Sequence, residues 1–132
     1  MISIIDDDVC ARAATEGIIR TLGYTLATYG SAEEFLGSGH INDTSCLITD
    51  VHLPGLTGVE LYRRLRADGF AAPTIVVTGH PDEMTRMQAL GAGAVAFLSK
   101  PFGKNVLLDC LKTALIRSRN SQSCVTHQSV RV

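Results

Sequence analysis

Short apolar runs rich in Ile, Val and Leu alternate along the chain with longer stretches in which apolar residues recur every three or four positions. The short runs predict β-strands at Ile2–Ile5, Thr25–Tyr29, Cys46–Thr49, Thr74–Val77 and Val95–Leu98. Three of them are nearly continuous in apolar residues, as parallel strands covered on both faces require. The second is the least apolar and predicts an edge. The longer stretches predict a helix after each strand: Val9 to about Leu22, Ala32–Leu36, Gly58 to about Ala67, Asp82–Leu90, and Lys104 to about Arg117. In the first of these, Ala11, Ala14, Ile18 and Leu22 form the expected inward stripe; in the last, Leu107, Leu111, Ala114 and Leu115 do. Asp8 suits the N-cap of the first helix. Ser31-Ala32-Glu33-Glu34 has the form of a capping box, with Glu34 reaching back. Gly23 and Gly69 stand where a left-handed residue closes a helix.

Five strand-helix units joined by right-handed crossovers make an α/β fold: one doubly wound, open sheet of five parallel strands with five helices. The expected domain spans residues 1–118. From 119 to 132 the chain is polar and without periodicity, which predicts a flexible tail. A length of 132 residues fits one domain, and 45% hydrophobic with 19% charged residues excludes a disordered chain. The formal net charge of -1 removes the basic footprint of a nucleic-acid binder. Lys112, Arg117, Arg119 and Arg131 are dispersed and fit a solvated face better than a nucleic-acid patch. No apolar run approaches the roughly 20 residues that cross a bilayer, and no signal peptide is visible, so no membrane role and a cytoplasmic location are expected. Cys10, Cys46, Cys110 and Cys124 are far apart in sequence and predict reduced, mostly core thiols.

In doubly wound sheets, ligands sit at the carboxyl ends of the strands. There the first strand runs into Asp6-Asp7-Asp8, the third into Asp50, the fourth into Thr78 and the fifth into Ser99-Lys100-Pro101. If the third strand lies beside the first, Asp6 and Asp7 converge with Asp50, and clustered carboxylates resist ionisation unless a cation joins them. Mg²⁺, a hard ion that takes oxygen ligands and often a phosphate oxygen, fits such a cluster. Phosphoryl chemistry needs a nucleophile, a positive charge and a donor to the phosphoryl oxygens. Asp50, Lys100 and Thr78 supply these types.

Four segments in order carry a family resemblance: Ile4-Ile5-Asp6-Asp7-Asp8, Ile48-Thr49-Asp50-Val51-His52-Leu53-Pro54-Gly55-Leu56-Thr57-Gly58, Ile75-Val76-Val77-Thr78-Gly79, and Phe97-Leu98-Ser99-Lys100-Pro101-Phe102. Together they resemble the receiver domain of two-component response regulators, from Ile2 to about Arg117. Thr78-Gly79-His80-Pro81-Asp82 and Gly91-Ala92-Gly93-Ala94 further resemble receivers of the nitrogen-fixation regulator group. The resemblance implies a flavodoxin-like strand order 2-1-3-4-5. It implies that Asp50 accepts a phosphoryl group from a sensor histidine kinase, a phosphotransfer protein or a small phosphodonor. Asp7 and Asp50 would bind Mg²⁺ directly, Asp6 through water, and His52 through its backbone carbonyl; Mn²⁺ would substitute. Lys100 would pair with the phosphoryl oxygens, Thr78 and Phe97 would form the switch, and the Lys100-Pro101 peptide would be cis. The responding surface would be the fourth helix, fifth strand and fifth helix, also the face for a homodimer. The domain would catalyse its own phosphorylation and hydrolysis without being a turnover enzyme, and would serve transcription regulation through an output region or partner. Nothing after Arg119 has the length of a helix-turn-helix, so the chain reads as a single-domain regulator or as one without its output region, with no direct nucleic-acid binding.

Other readings differ in class. An aspartyl-phosphate phosphatase would place a carboxylate where His52 stands, and a flavin carrier would not put three aspartates in its phosphate loop. A docking module independent of phosphorylation has no need of Asp6, Asp7, Asp50, Thr78 and Lys100 together. A zinc site of His52, His80 and carboxylates is disfavoured because the acidic pair suits a harder ion. Gly79 leaves room for water or a partner's phosphate to approach.

Overall fold

In a computed structural model, which describes residues 1–116, the strands are β1 (Ile2–Ile5), β2 (Leu26–Tyr29), β3 (Cys46–Asp50), β4 (Thr74–Thr78) and β5 (Ala96–Ser99). The helices are α1 (Val9–Thr21), α2 (Ala32–Leu36), α3 (Gly58–Ala67), α4 (Glu83–Gly91) and α5 (residues 104–116). A single 3₁₀ turn, Ile41–Asp43, which the periodicity did not predict, leads into β3. The expected end of α5 at about Arg117 and the tail from 119 to 132 lie outside the described residues.

All strands are parallel, in the order β2-β1-β3-β4-β5. β1, β3 and β4 are buried along their whole lengths, which is why their apolar runs do not alternate, while β2 and β5 are the partly open edges. Successive side chains still point to opposite faces. Ile2, Ile4, Cys46, Ile48, Ile75 and Val77 pack with Ile19 of α1 and with Leu107, Leu111 and Ala114 of α5. Ile5 and Leu47 face Phe35 of α2 and Leu61 and Leu65 of α3. Val76 packs with Tyr62 of α3 and Ala89 of α4. Each fully buried Ile or Leu contributes roughly 1.5–3 kcal/mol.

Three local expectations need correction. The inward residues of α1 are Thr15 and Ile19, with Ile18 and Leu22 at the margin, while Ala14 is exposed. Thr15 tolerates burial because its hydroxyl donates to the carbonyl of Ala11 at 3.1 Å, so a polar residue enters the stripe. In α2, Ser31 Oγ accepts from the Glu34 amide as expected, but Glu34 reaches back one residue further, accepting from the Gly30 N–H at 2.6 Å. Among the described cysteines only Cys46 is fully in the core, where burial pushes its thiol up to about 12; Cys110 is half-buried and Cys10 exposed. Gly23 and Gly69 do adopt positive φ, at 86° and 94°, just past α1 and α3. Asp82 is the N-cap of α4, its carboxylate accepting from the Thr85 amide.

Candidate functional site

Strand register and side-chain alternation build the site. Ile5 pairs with Thr49, so Asp6 and Asp50 follow side by side where β1 and β3 end. Asp6 continues the alternation of Ile2 and Ile4, Asp50 that of Cys46 and Ile48, and Lys100 that of Ala96 and Leu98, all on the α1–α5 side of the sheet. Thr78 and Phe97 have the opposite parity, with Val76, on the α3–α4 side. The backbone N–H of Lys100 donates to the Thr78 carbonyl at 2.8 Å, tying the β5 end to β4, and the Lys100-Pro101 peptide is cis.

Lys100 Nζ spans the two strand-end carboxylates, donating to Asp6 Oδ2 at 2.8 Å and to Asp50 Oδ2 at 2.7 Å. The remaining oxygens have partners as well. Asp6 Oδ1 accepts from the Asp8 amide at 3.0 Å and Asp50 Oδ1 from the His52 amide at 3.1 Å. Asp6 and Asp50 are 3% and 5% exposed, so both charges stand almost entirely out of water. Asp7 is exposed at the rim. One carboxylate oxygen from each of Asp6, Asp7 and Asp50 lies within 4.8 Å of the others. Asp8 does not join them: its carboxylate caps α1, accepting from the amides of Cys10 and Ala11.

Three carboxylates and one ammonium leave the cluster with a charge near -2. Burial holds the Asp6 carboxyl above its ordinary range; hydrogen bonds from Lys100 and the Asp8 amide oppose this, and the Asp50 charge adds to it. For Lys100, burial pulls downward, but the hydrogen bonds and charges of Asp50 and Asp6 outweigh it and the ammonium ends above its usual range. One ammonium thus answers two buried carboxylates.

A carboxyl with a higher pKa folded than unfolded binds more protons when folded. Its contribution to stability is therefore greatest below the ordinary value of 3.8 and declines as pH rises through the elevated one. In chelator-treated protein, Asp6→Asn should gain in urea midpoint relative to wild type as pH climbs through that interval. A difference between the two proteins that stays constant with pH would contradict this.

The cluster's surplus of about two negative charges, all on oxygen donors, suits a hard divalent ion such as Mg²⁺. Binding such an ion should stabilise the folded chain by about 2.7 kcal/mol at 100 times its Kd, a rise of roughly 10 °C in Tm for a chain of this size. Asp7→Asn should abolish the rise seen in thermal unfolding with Mg²⁺, and Asp8→Asn should keep it. Equal shifts in both variants would place the ion elsewhere.

Three supporting residues were not singled out by sequence reasoning. Arg12 Nη1 donates to the Asp6 carbonyl at 2.8 Å from the second turn of α1. Thr49 Oγ1, buried, donates to the Asp50 carbonyl at 3.1 Å. Gly58 opens α3 directly against Asp50: a Cβ there would overlap the Asp50 carbonyl oxygen and lie 2.9 Å from its carbonyl carbon. A glycine at the first helical position behind a Thr57 cap was the available signal. Elsewhere, Thr78 is fully buried and its Oγ1 accepts from the His80 amide at 3.1 Å. Phe97 is half-buried. His52 and His80 are exposed, and a Cβ on Gly79 would meet nothing within 4 Å.

A family model for the response regulator receiver domain matches residues 2–112. Among curated relatives, Nodulation protein W of Bradyrhizobium diazoefficiens is 38% identical over 119 residues, 90% of this chain and 52% of its own length. Transcriptional regulatory protein FixJ of Azorhizobium caulinodans is 35% identical over 117 residues, 89% of this chain and 56% of its own. The chain thus spans about half the length of the curated relatives it matches. The crystal structure of FixJ-N superposes with a TM-score of 0.77 at 34% identity, covering 86% of this chain and 91% of that one. A structure of the response regulator StyR gives 0.85 at 30%, covering 97% and 65%. The finer resemblance read from the Thr78–Asp82 segment agrees with the FixJ relatives. Among the described residues, no helix is long and apolar enough to cross a membrane. With the strand order, the acidic cluster under Lys100 and these matches in agreement, the chain belongs to the response regulator receiver domain family of two-component signalling.

Proposed function

We propose that this domain is a phosphorylation-controlled switch of the cytoplasm in which Asp50 accepts a phosphoryl group from a sensor histidine kinase or a phosphotransfer protein. The observation that carries the reading is a buried carboxylate at a strand end, held by Lys100 Nζ at 2.7 Å and flanked by two further carboxylates. An Asp50 carboxylate oxygen attacks phosphorus, and the bond from phosphorus to the donor's imidazole nitrogen, or to the acetate oxygen of acetyl phosphate, breaks with its electron pair on the leaving group. Asp7 and Asp50 would hold Mg²⁺, or Mn²⁺ in its place, with Asp6 acting through water and the His52 backbone carbonyl completing the protein ligands, and the ion would neutralise phosphoryl charge. Lys100 passes one of its hydrogen bonds from Asp50 Oδ2 to a phosphoryl oxygen. The Thr78 hydroxyl accepts from the His80 amide, so its own proton remains to donate to another.

Drawing Thr78 toward the phosphoryl group opens space on the α3–α4 side, where Phe97 packs beside Val76. Phe97 moving inward then favours the active arrangement of α4, β5 and α5. On those helices Met84 and Met87 of α4 and Val106 and Ile116 of α5 are exposed, apolar side chains suited to a partner, an output region or a second copy. The link to transcription extends to this chain what is said of the FixJ relatives. Hydrolysis of the aspartyl phosphate by water at the same site releases inorganic phosphate, restores the carboxylate and resets the switch, so the phosphoryl group serves as a timed signal rather than as the intermediate of a turnover enzyme.

The test is incubation of the full chain with acetyl phosphate, with and without Mg²⁺, followed by intact mass. One phosphoryl group gained only with the ion is expected. A mass left unchanged by acetyl phosphate and by phosphorylated histidine donors alike would overturn the reading.

A further inference from the structure

Two imidazoles meet edge to face on the turns that follow β3 and β4. His52 lies two residues beyond Asp50 and His80 two beyond Thr78, and because Asp50 pairs with Val77, the adjacent ends of β3 and β4 deliver both rings to one place. Their backbones are tied down, the His52 amide donating to Asp50 Oδ1 and the His80 amide to Thr78 Oγ1, each at 3.1 Å. The ring centroids are 5.9 Å apart, with the planes at 70°. Among the described residues, neither ring nitrogen pair has a hydrogen-bond partner. Two Zn²⁺–imidazole bonds of about 2.0–2.1 Å at a tetrahedral angle set ring centroids about 5 Å apart, close to the separation found here, and both exposed rings are free to turn.

We infer that His52 and His80 form a binding site for a borderline divalent ion, Zn²⁺ in the first instance, separate from the carboxylate cluster below it. The donor types sort the ions: carboxylate oxygens hold the hard ion and imidazole nitrogens the borderline one. Water completes the coordination of the upper ion. Asp82 adds negative charge nearby, but both its oxygens accept from Thr85, at 2.8 Å each, so it lends charge rather than a ligand atom. An ion held there, on side chains two residues from Asp50 and two from Thr78, would restrict the approach of a phosphodonor. That consequence rests on the acceptor role proposed above; the binding does not.

The experiment is a Zn²⁺ titration of the full chain in saturating Mg²⁺, following the carbon-bound ring protons of its histidines by NMR, assigned from His52→Ala and His80→Ala. The His52 and His80 signals should move together with one midpoint, and alanine at either position should weaken the response of the other ring at least about tenfold. Signals that titrate with different midpoints, or a His52 response untouched by His80→Ala, would overturn the site. If acetyl phosphate labels no residue, the acceptor role fails while these signals still decide whether the ion binds.

Discussion

Asp50→Asn should take up no phosphoryl group from acetyl phosphate under conditions where the wild-type chain gains one. The carboxamide keeps the shape and can still meet Lys100 through its oxygen, but it has lost the negative charge that attacks phosphorus and helps hold the ion. Loss of a nucleophile costs roughly 10³-fold in rate or more, which intact mass reads as no labelling. The folded state should survive, because the substitution removes one of three crowded carboxylate charges. Circular dichroism and an unchanged or higher unfolding midpoint would show this, so that absent labelling is not mistaken for absent folding. Equal labelling of both proteins would move the acceptor away from Asp50.

Gly58→Ala carries the largest structural penalty expected at the site. Its methyl group would overlap the Asp50 carbonyl oxygen and press on Thr49 Oγ1 at 3.2 Å, and neither can give way without moving the end of β3. Overpacking of this kind costs about 1–3 kcal/mol, and here the displaced backbone carries the candidate nucleophile. Both the urea midpoint and the rate of phosphoryl uptake should fall. Gly17→Ala provides the contrast, because that helical glycine in α1 has open space around it and ordinary φ. The same change there should stabilise the chain by about 0.5–1 kcal/mol through the helix preference of alanine. Equal responses at the two positions would show that the close approach at Gly58 has no mechanical importance.

The strands and most helix limits were legible in the sequence because burial on both faces leaves an unambiguous apolar run. Ile2–Ile5 and the cores of the third and fourth strands needed nothing else. The convergence of Asp6 and Asp50 was legible as soon as β1 and β3 were taken as neighbours, since parallel register does the rest. The inward face of α1 was harder. A hydroxyl that satisfies itself on its own helix, as Thr15 does, is invisible to an apolar count. Gly58 and Arg12 escaped for a different reason: each acts on the main-chain carbonyl of an aspartate a few residues earlier, and a pattern of side chains carries no trace of carbonyl positions. The division of charge between Lys100 and its two carboxylates also needed coordinates, because it depends on one ammonium reaching both.

Asp6 and Asp50 follow directly on hydrogen-bonded strands, whereas the His52 and His80 side chains extend from the turns that come after them. The inferred imidazole site and the proposed acceptor site therefore rest on different parts of the fold. If the inference holds, exchanging the two outlying side chains should change which dissolved ion the chain binds and leave the strand-borne carboxylates in place.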